Sequence, residues 1–206
     1  MSVVVAIKYK DGVVLAADRQ ATSGNIKIDS ASKLYKSAYS MTAIGMVGRS
    51  RDADLISCQI DDLMEYKDIL DKVKIDKKYL VNIIVPKIFN ILMRFNRAHK
   101  EYDIIELDSN FIIASNEKLF KVFFDGAVLE YDSFVTAGCG NQLAQGYLES
   151  QDVDTNKLTQ DEAVKLAKEC IFKACKDDVF ISNDYADILI LNKSRKRSDK
   201  NAKKNR

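Results

Sequence analysis

Apolar residues recur along this chain with two periods, one typical of β-strands and one typical of helices. Near the start, two apolar runs flank Lys10-Asp11-Gly12, an order that predicts a β-hairpin. The polar residues 19–32 that follow include Ser23-Gly24-Asn25, which predicts a turn. The strands predicted by these patterns cover residues 3–9, 13–18, 33–36, 40–47, 102–107, 110–115, 118–124, 127–130, 133–137 and 187–191.

Four segments place apolar residues every three or four positions, the period of an amphipathic helix. Pro86, the only proline, lies inside the second segment and predicts a kink or a helix start there. Thr159 and Glu162 have the spacing of a capping box ahead of the fourth. The predicted helices cover residues 52–68, 77–98, 141–151 and 160–176. The order of strands, two helices, strands, two helices and a last strand predicts two stacked, mainly antiparallel sheets with helices outside, an α+β fold.

Length and hydropathy indicate one folded domain. The chain has 206 residues, of which 47% are hydrophobic, enough for one well-packed core. None of its apolar runs approaches the roughly 20 residues that a membrane-spanning helix needs, so we expect a soluble protein with no membrane partner. We expect the domain to cover residues 2–191 and a basic, disordered tail to cover 192–206. We expect no targeting segment ahead of the first strand.

The net charge of +2 results from an uneven distribution. Residues 193–206 contain eight Lys or Arg and one Asp, a net charge of +7, so the rest of the chain has 24 basic and 29 acidic residues, a net charge of −5. A basic tail is typical either of nucleic-acid contacts or of a solubilising end. We favour the solubilising end, because a domain with a negative net charge is a poor partner for nucleic acid.

Cysteine and histidine usage narrows the chemistry further. The four cysteines match no zinc-binding spacing, and a domain of this size needs no disulfides, so we expect reduced thiols in a cytoplasmic protein. They are Cys58, Cys139, Cys170 and Cys175. The single histidine, His99, lies in a basic, helical stretch. We therefore expect a hydrolase built on this chain to use a base other than imidazole, and we expect neither a metal nor a cofactor.

A serine follows the initiator methionine, and the first predicted strand begins directly after it. Ser2 is small enough for a methionine aminopeptidase to remove Met1, which would leave a free α-amine on a residue that has a hydroxyl. An α-amine titrates at about 7.7–8.0, so one residue could supply both a nucleophile and its base. Many chains without such chemistry begin in the same way, so these two residues alone decide nothing.

Five segments together carry a resemblance to a known family. They are residues 10–18, 21–25, 32–35, 44–48 and 137–150, the last beginning Ala-Gly-Cys-Gly. With Ser2 ahead of the first strand, they are similar to the proteasome β-subunit family and its bacterial relatives of the HslV type, over residues 2–191. These proteins are N-terminal nucleophile hydrolases, and the resemblance implies their four-layer αββα sandwich.

The resemblance implies catalytic roles, position by position. Ser2 takes the nucleophile position, where the family usually has threonine. Lys33 matches the catalytic lysine, and Asp18 matches the acidic residue that steadies it. A nearby ammonium lowers the pKa of the serine hydroxyl, and a lysine whose own pKa is depressed can accept the proton. Gly45 matches the glycine whose backbone N–H stabilises the oxyanion.

Two parts of the implied site depart from the family pattern. Cys139 stands where the family often has serine, and a thiol is the weaker hydrogen-bonding group; it could also act as a second nucleophile. Asp178 and Ser182 match an Asp and a Ser that orient the terminal amine, but their spacing is one residue too long. Asp177 could take the acidic role instead.

The resemblance also implies four substrate-binding positions. Ala21, Ala43 and Val47 match positions that select the residue before the scissile bond. All three are small or medium and uncharged, which implies a roomy, apolar pocket. Thr22 matches a position whose main chain pairs with an extended peptide.

The implied function is that of a threonine-type endopeptidase that uses serine and forms an acyl-enzyme, with unfolded polypeptides as substrates. The resemblance implies self-association into rings, with a proteasome α-type ring and an ATP-dependent unfoldase as further partners. Two other functions stay open. A catalytically silent ring subunit would result if Met1 were retained, and an amidase of the same class would act on small molecules.

Overall fold

Two antiparallel sheets contain most of the strands. The computed structural model describes residues 2–23, 26–28, 31–64, 73, 75–94, 107–115, 118–176 and 186–193. The strands are β1 (Val3–Tyr9), β2 (Gly12–Asp18), β3 (Ala21–Ser23), β4 (Ile26–Ile28), β5 (Leu34–Lys36), β6 (Thr42–Val47), β7 (Asn110–Ser115), β8 (Lys118–Val122), β9 (Val128–Tyr131), β10 (Phe134–Gly138) and β11 (Ala186–Asn192). The helices are α1 (Ser50–Cys58), α2 (residues 77–93), α3 (Asn141–Ser150) and α4 (Gln160–Lys176), with 3₁₀ turns at Ile60–Asp62 and Thr155–Lys157.

Strand β1 lies inside the first sheet, whose order is β10-β1-β2-β11 and which is named the β1 sheet below. Val4 pairs with Ala17 of β2 and with Ala137 of β10, so the start of β1 lies beside the ends of both neighbours. The second sheet, named the β6 sheet, has the order β5-β6-β7-β8-β9. Strands β3 and β4 pair only with each other within the described residues.

Alternating residues of each strand divide the core into three layers. Val4, Ala6 and Leu15 of the β1 sheet pack against residues such as Ile112 and Leu119 of the β6 sheet. The opposite face of the β1 sheet packs against α3 and α4, and the opposite face of the β6 sheet packs against α1 and α2. This order of helix, sheet, sheet and helix confirms the predicted α+β, αββα sandwich.

Helix α1 is shorter than predicted. It ends at Cys58 and is followed by the 3₁₀ turn, whereas the pattern predicted a helix over residues 52–68. Asp61 accepts a hydrogen bond from the Ala38 N–H at 2.8 Å, so a tertiary contact holds this residue outside the helix. Residues 65–68 lie outside the described residues.

Helix α2 changes its winding just before its proline. It consists of an α-helical turn (Lys77–Tyr79), a π-helical stretch (Leu80–Ile84) and an α-helix (Val85–Met93). Pro86 has no N–H to donate, and the N–H before it, at Val85, bonds to the Leu80 carbonyl. The proline therefore marks a change of winding rather than the start of the helix.

Two further differences concern short strands. The predicted polar segment 19–32 contains β3 and β4, each of three residues, which are too short for an alternating pattern to show. Of the predicted strand 102–107, Leu107 lies outside any strand and the rest lies outside the described residues. The predicted capping box is present, because Thr159 and Glu162 exchange hydrogen bonds between side chain and backbone.

Candidate active site

Ser2 lies directly before β1, between the ends of two neighbouring strands. On one side Val3 pairs with Gly138 of β10, and on the other the Val3 N–H donates to Asp18 Oδ1 at 2.8 Å. Strand alternation puts residue 2 on the same face as Val4, the face toward the β6 sheet. The half-buried serine therefore opens into the space between the two sheets.

An ion pair between Asp18 and Lys33 lies next to this strand start. Lys33 Nζ is 2.7 Å from Asp18 Oδ1 and donates to the Gln20 carbonyl at 2.7 Å. The Gln20 N–H donates to Asp18 Oδ2 at 3.1 Å. Asp18 is fully buried and Lys33 is 7% exposed. Both carboxylate oxygens have donors, so backbone groups hold the pair in one geometry.

Two opposing effects act on the pKa of Lys33. Burial lowers this pKa, and the Asp18 carboxylate raises it by favouring the ammonium. The thiols of Cys139 and Cys175 act in the same direction as Asp18. The pKa stays below that of an ordinary lysine, so Lys33 exchanges its proton nearer to neutral pH, the property that acid–base chemistry requires.

Cys139 contacts the backbone of Ser2 on two sides. Its Sγ accepts a hydrogen bond from the Ser2 N–H at 3.1 Å and donates to the Ser2 carbonyl at 3.3 Å. Gly138, just before it, has a φ of +103°, and a Cβ there would lie 2.0 Å from the Ser2 carbonyl oxygen. Only glycine permits this close approach of β10 to the start of β1.

Gly45 lies in the middle of β6, opposite Leu34 of β5. The next residue, Met46, donates its N–H to the Lys33 carbonyl at 2.9 Å, so Gly45 is close to the lysine along the sheet. A Cβ at Gly45 would lie 2.6 Å from Val4 Cγ1. Close packing of the two sheets therefore requires glycine here, independently of any role in catalysis.

The four predicted substrate-binding positions lie on two strands. Val47, at the end of β6, lines a cleft together with Ser2. Ala43, on the same strand, is fully buried between the sheets. On β3, Ala21 is half-buried and Thr22 is exposed. Among these four, Val47 is the residue that the described structure brings into the cleft.

The cleft has a volume of about 470 Å³ and opens between the ends of the two sheets. Sequence reasoning missed several of its residues, of which Asp108 and, on β8, Lys121 carry charges. The strand pattern contained one indication of Lys121. Lys121 lies two residues after Leu119, so the two side chains share a face of β8, and Leu119 belongs to the buried layer between the sheets. A charged residue at an inward position of a strand indicates a cleft or a binding group. Residues that line the cleft include Ser2, Val47, Asp108, Lys121, Phe123 and Cys139.

Comparisons with known proteins agree with this architecture. A family model described as proteasome subunit matches residues 2–191. The chain belongs to the proteasome subunit family. One relative is the proteasome subunit beta of Archaeoglobus fulgidus, 30% identical, with 90% of this chain and 82% of the relative covered. Another is proteasome subunit beta 1 of Saccharolobus islandicus, 31% identical, with 85% and 78% covered.

These relatives confirm the predicted likeness to proteasome β subunits, and the chain is a subunit of a proteasome-like protease. A solved structure, that of eukaryotic HslV from Trypanosoma brucei, superposes with a TM-score of 0.64 at 23% sequence identity. The match covers 92% of this chain and 99% of the HslV chain. At this identity the superposition supports the sandwich fold alone.

Several predicted residues of this proteasome subunit lie outside the described residues. They are Met1, His99, Asp177, Asp178 and Ser182. Among the described residues, none of the four cysteines forms a disulfide, and no group of three or more His, Cys, Asp or Glu side chains could hold a metal ion. Within the same part of the chain, no helix is both long enough and apolar enough to cross a membrane.

Proposed function

We propose that Ser2, once Met1 is removed, is the nucleophile of an endopeptidase subunit. The observation that carries this proposal is the position of Ser2, which lies directly before an inner strand and next to the buried Asp18–Lys33 pair. Burying two charges costs free energy that only close partners and hydrogen bonds offset. A catalytically silent subunit has no need of such a pair at the start of β1.

The proposed reaction forms and then hydrolyses an ester on Ser2. Ser2 Oγ attacks the carbonyl carbon of a peptide bond while the freed α-amine takes the hydroxyl proton. The tetrahedral intermediate collapses with cleavage of the C–N bond, and the proton passes to the leaving amine. Water then attacks the ester carbonyl, and the α-amine accepts a proton from this water and returns one to Ser2 Oγ.

The neighbouring residues support these steps in distinct ways. The Lys33 ammonium stabilises negative charge as it develops on Ser2 Oγ, and Asp18 holds Lys33 in place. We assign the Gly45 N–H to the oxyanion. Three residues orient the terminal amine in this proposal: Cys139, Asp178 and Ser182.

We propose unfolded polypeptides as the substrates. Thr22 pairs with the substrate main chain, and Ala21, Ala43 and Val47 select the residue before the scissile bond. A freely accessible peptidase would degrade the proteins of its own cell. We therefore propose that the subunit associates with itself into rings in the cytoplasm, joined by a proteasome α-type ring and an ATP-dependent unfoldase.

The second candidate is a silent ring subunit, which results if Met1 is retained. The Ser2 N–H is hydrogen-bonded to Cys139 Sγ, and with Met1 retained this nitrogen is a peptide amide that cannot accept a proton. Such a subunit would build the wall of the compartment without cleaving peptides.

Intact mass spectrometry of the purified protein distinguishes the two candidates. The measurement is made before and after treatment with an epoxyketone, a reagent that needs the hydroxyl and the free amine of one residue. The expected result is loss of Met1 and one adduct per chain, absent from the Ser2→Ala variant. Retained Met1 without an adduct, together with no hydrolysis of unfolded casein, would establish the silent subunit instead.

A further inference from the structure

Lys121 is a second lysine that reaches across the two sheets, and the proposed reaction makes no use of it. It lies two residues after Leu119 on β8, so both side chains face the layer between the sheets. Lys121 Nζ donates to the Thr136 carbonyl of β10 at 2.9 Å. The side chain thus ends in the cleft that Ser2 also lines.

The described residues supply the Lys121 ammonium with few hydrogen-bond partners. Among the described residues, the Thr136 carbonyl is its only hydrogen-bond acceptor, and no carboxylate there forms an ion pair with it. The Phe123 ring centre lies 5.0 Å from Nζ and adds a cation–π contact. The described residues therefore accept one of the three ammonium protons, and the other two can serve a ligand.

Among the described residues that line the cleft, the one acid is already paired with an arginine. Asp108 is the carboxylate among the described lining residues, and it lies 2.9 Å from an Arg49 guanidinium nitrogen. Burial lowers the pKa of Lys121, because the ammonium loses hydration without gaining an anion. A carboxylate brought by a ligand would supply the missing partner.

The position of Lys121 relative to Ser2 indicates which part of a substrate it meets. Strand β1, which begins after Ser2, lies between β2 and β10. Thr22 lies on β3, which follows β2 along the chain, whereas Lys121 contacts β10. A peptide that ran from Thr22 across Ser2 would bring the residues after the scissile bond toward β10 and Lys121.

We propose that Lys121 is a specificity-determining residue that binds the carboxylate of an Asp or Glu side chain located after the scissile bond. This inference deepens the proposed peptidase function and rests on it, because the direction of the peptide comes from the predicted role of Thr22. It adds a charged subsite to a site whose predicted pocket residues are all uncharged.

The test uses internally quenched peptides with the assembled, full-length protein. The peptides differ only by Glu or Gln at each of three positions before and after the scissile bond, and mass spectrometry verifies the cleaved bond. At one position after the bond, Glu is expected to raise kcat/KM about tenfold over Gln, the ratio that one half-buried ion pair supplies. Lys121→Met should bring this ratio close to one, and Lys121→Glu should favour a Lys peptide over the Glu peptide.

Two further variants serve as controls. Lys121→Arg keeps the charge and should keep the Glu preference, which a purely structural role would not require. Lys118→Met removes a lysine on the same strand that pairs with Glu130 at the surface, and the ratio should be unchanged. Equal rates for Glu and Gln peptides in the wild type, a preference found only before the scissile bond, or a preference that survives Lys121→Met would each overturn the inference.

A binding measurement separates this inference from the peptidase proposal. Fluorescence anisotropy of labelled Glu and Gln peptides is measured on Ser2→Ala protein with Lys121 present or replaced by Met. If the wild type hydrolyses no peptide but Ser2→Ala binds the Glu peptide more tightly through Lys121, the carboxylate site stands and the peptidase function fails. If the wild type hydrolyses both peptides at equal rates, the peptidase proposal is supported and the carboxylate site at Lys121 is excluded.

Discussion

Two lysines, Lys33 and Lys121, extend from the β6 sheet toward the β1 sheet, one on each side of Ser2. They differ in the partners that their ammonium groups have. Lys33 meets the Asp18 carboxylate and the Gln20 carbonyl. Lys121 meets the carbonyl of Thr136 and, among the described residues, no carboxylate. Burial lowers the pKa of both lysines. The cost of desolvating the ammonium is offset by a carboxylate of the protein at Lys33 and, among the described residues, by no carboxylate at Lys121.

This difference indicates two kinds of function. A charge whose partners all belong to the protein is held in place before a substrate arrives, as a group that acts on the reacting bond must be. A charge with open hydrogen-bonding capacity gains its partner from the ligand, and it therefore discriminates among ligands. The predictions below test this division, from the largest expected effect to the smallest.

Lys33→Met should have the largest effect, because it removes an internally paired charge. Hydrolysis of a peptide without acidic residues should fall about 10²- to 10³-fold, the range for loss of a group that stabilises charge in the transition state. Asp18 would be left buried without its cation, which should cost about 3–5 kcal/mol in the free energy of unfolding. Peptide hydrolysis and urea unfolding are the measurements, with Lys118→Met as the surface control.

A Lys33→Met protein that hydrolyses the peptide as fast as the wild type would contradict the assignment of the internally paired lysine to catalysis. A variant that loses stability but retains hydrolysis of the same peptide would limit the Asp18–Lys33 pair to a structural role.

Gly45→Ala should destabilise the protein by about 1–3 kcal/mol, the usual cost of overpacking. The added methyl would lie 2.6 Å from Val4 Cγ1, where the two sheets approach each other below Ser2. Val4→Ala removes the clashing atom, so the double variant should be more stable than the sum of the two single changes predicts. Urea unfolding of all four proteins measures this coupling. Additive changes in the free energy of unfolding would mean that the two sheets can move apart near Gly45 more easily than the structure indicates.

Cys139 lies on the β10 side of Ser2, and its replacement should have a smaller effect. Cys139→Ala removes two hydrogen bonds to the Ser2 backbone. Because a thiol is a weak donor and a weak acceptor, kcat/KM should fall about two- to tenfold, the range for one ordinary neutral hydrogen bond. Cys139→Ser keeps a donor and an acceptor and should retain more activity than Cys139→Ala. Intact mass with the epoxyketone should still give one adduct in both variants. An adduct lost with Cys139→Ser would identify the thiol itself as a nucleophile.

The smallest expected effect is a pH dependence of stability from Lys121. Burial lowers its pKa below the ordinary value of 10.5, so between the two values the unfolded chain binds more protons than the folded protein. The contribution of Lys121 to the free energy of unfolding therefore rises with pH between the folded and the unfolded pKa, and it is constant below the folded pKa. The free energy of unfolding of the wild type minus that of Lys121→Met should increase from neutral pH to about pH 10. A decrease would show that Lys121 already has an anionic partner in the folded protein.

The sequence could predict the layers of the fold, because the layers follow from the spacing of apolar residues within each strand and helix. The continuous apolar runs in 3–9 and 13–18 and the three- or four-residue spacing in 160–176 create faces that must be buried, and sheets and helices stack so that those faces meet. The end of α1 at Cys58 was not predictable in this way, because Asp61 is held by the Ala38 N–H of a distant loop.

The candidate site could be predicted in part. The resemblance supplied Ser2, Asp18, Lys33 and Cys139, and the structure brings these four together around the start of β1. Lys121 was missed because its importance depends on a contact between two sheets, a feature that no single strand pattern contains.

The sequence by itself determined the order of the elements, the face that each presents to the core and the residue that begins the first strand. Each of these depends on spacing between near neighbours, since the periods of strand and helix decide which side chains share a face. The resemblance already implied Asp18 as the partner of Lys33, and the fold brings the two together. Tertiary structure alone decided that Lys121 meets a carbonyl and, among the described residues, no carboxylate. Those outcomes depend on which strand ends meet across the sandwich, because the cost of a buried charge is set by groups distant in sequence and close in space.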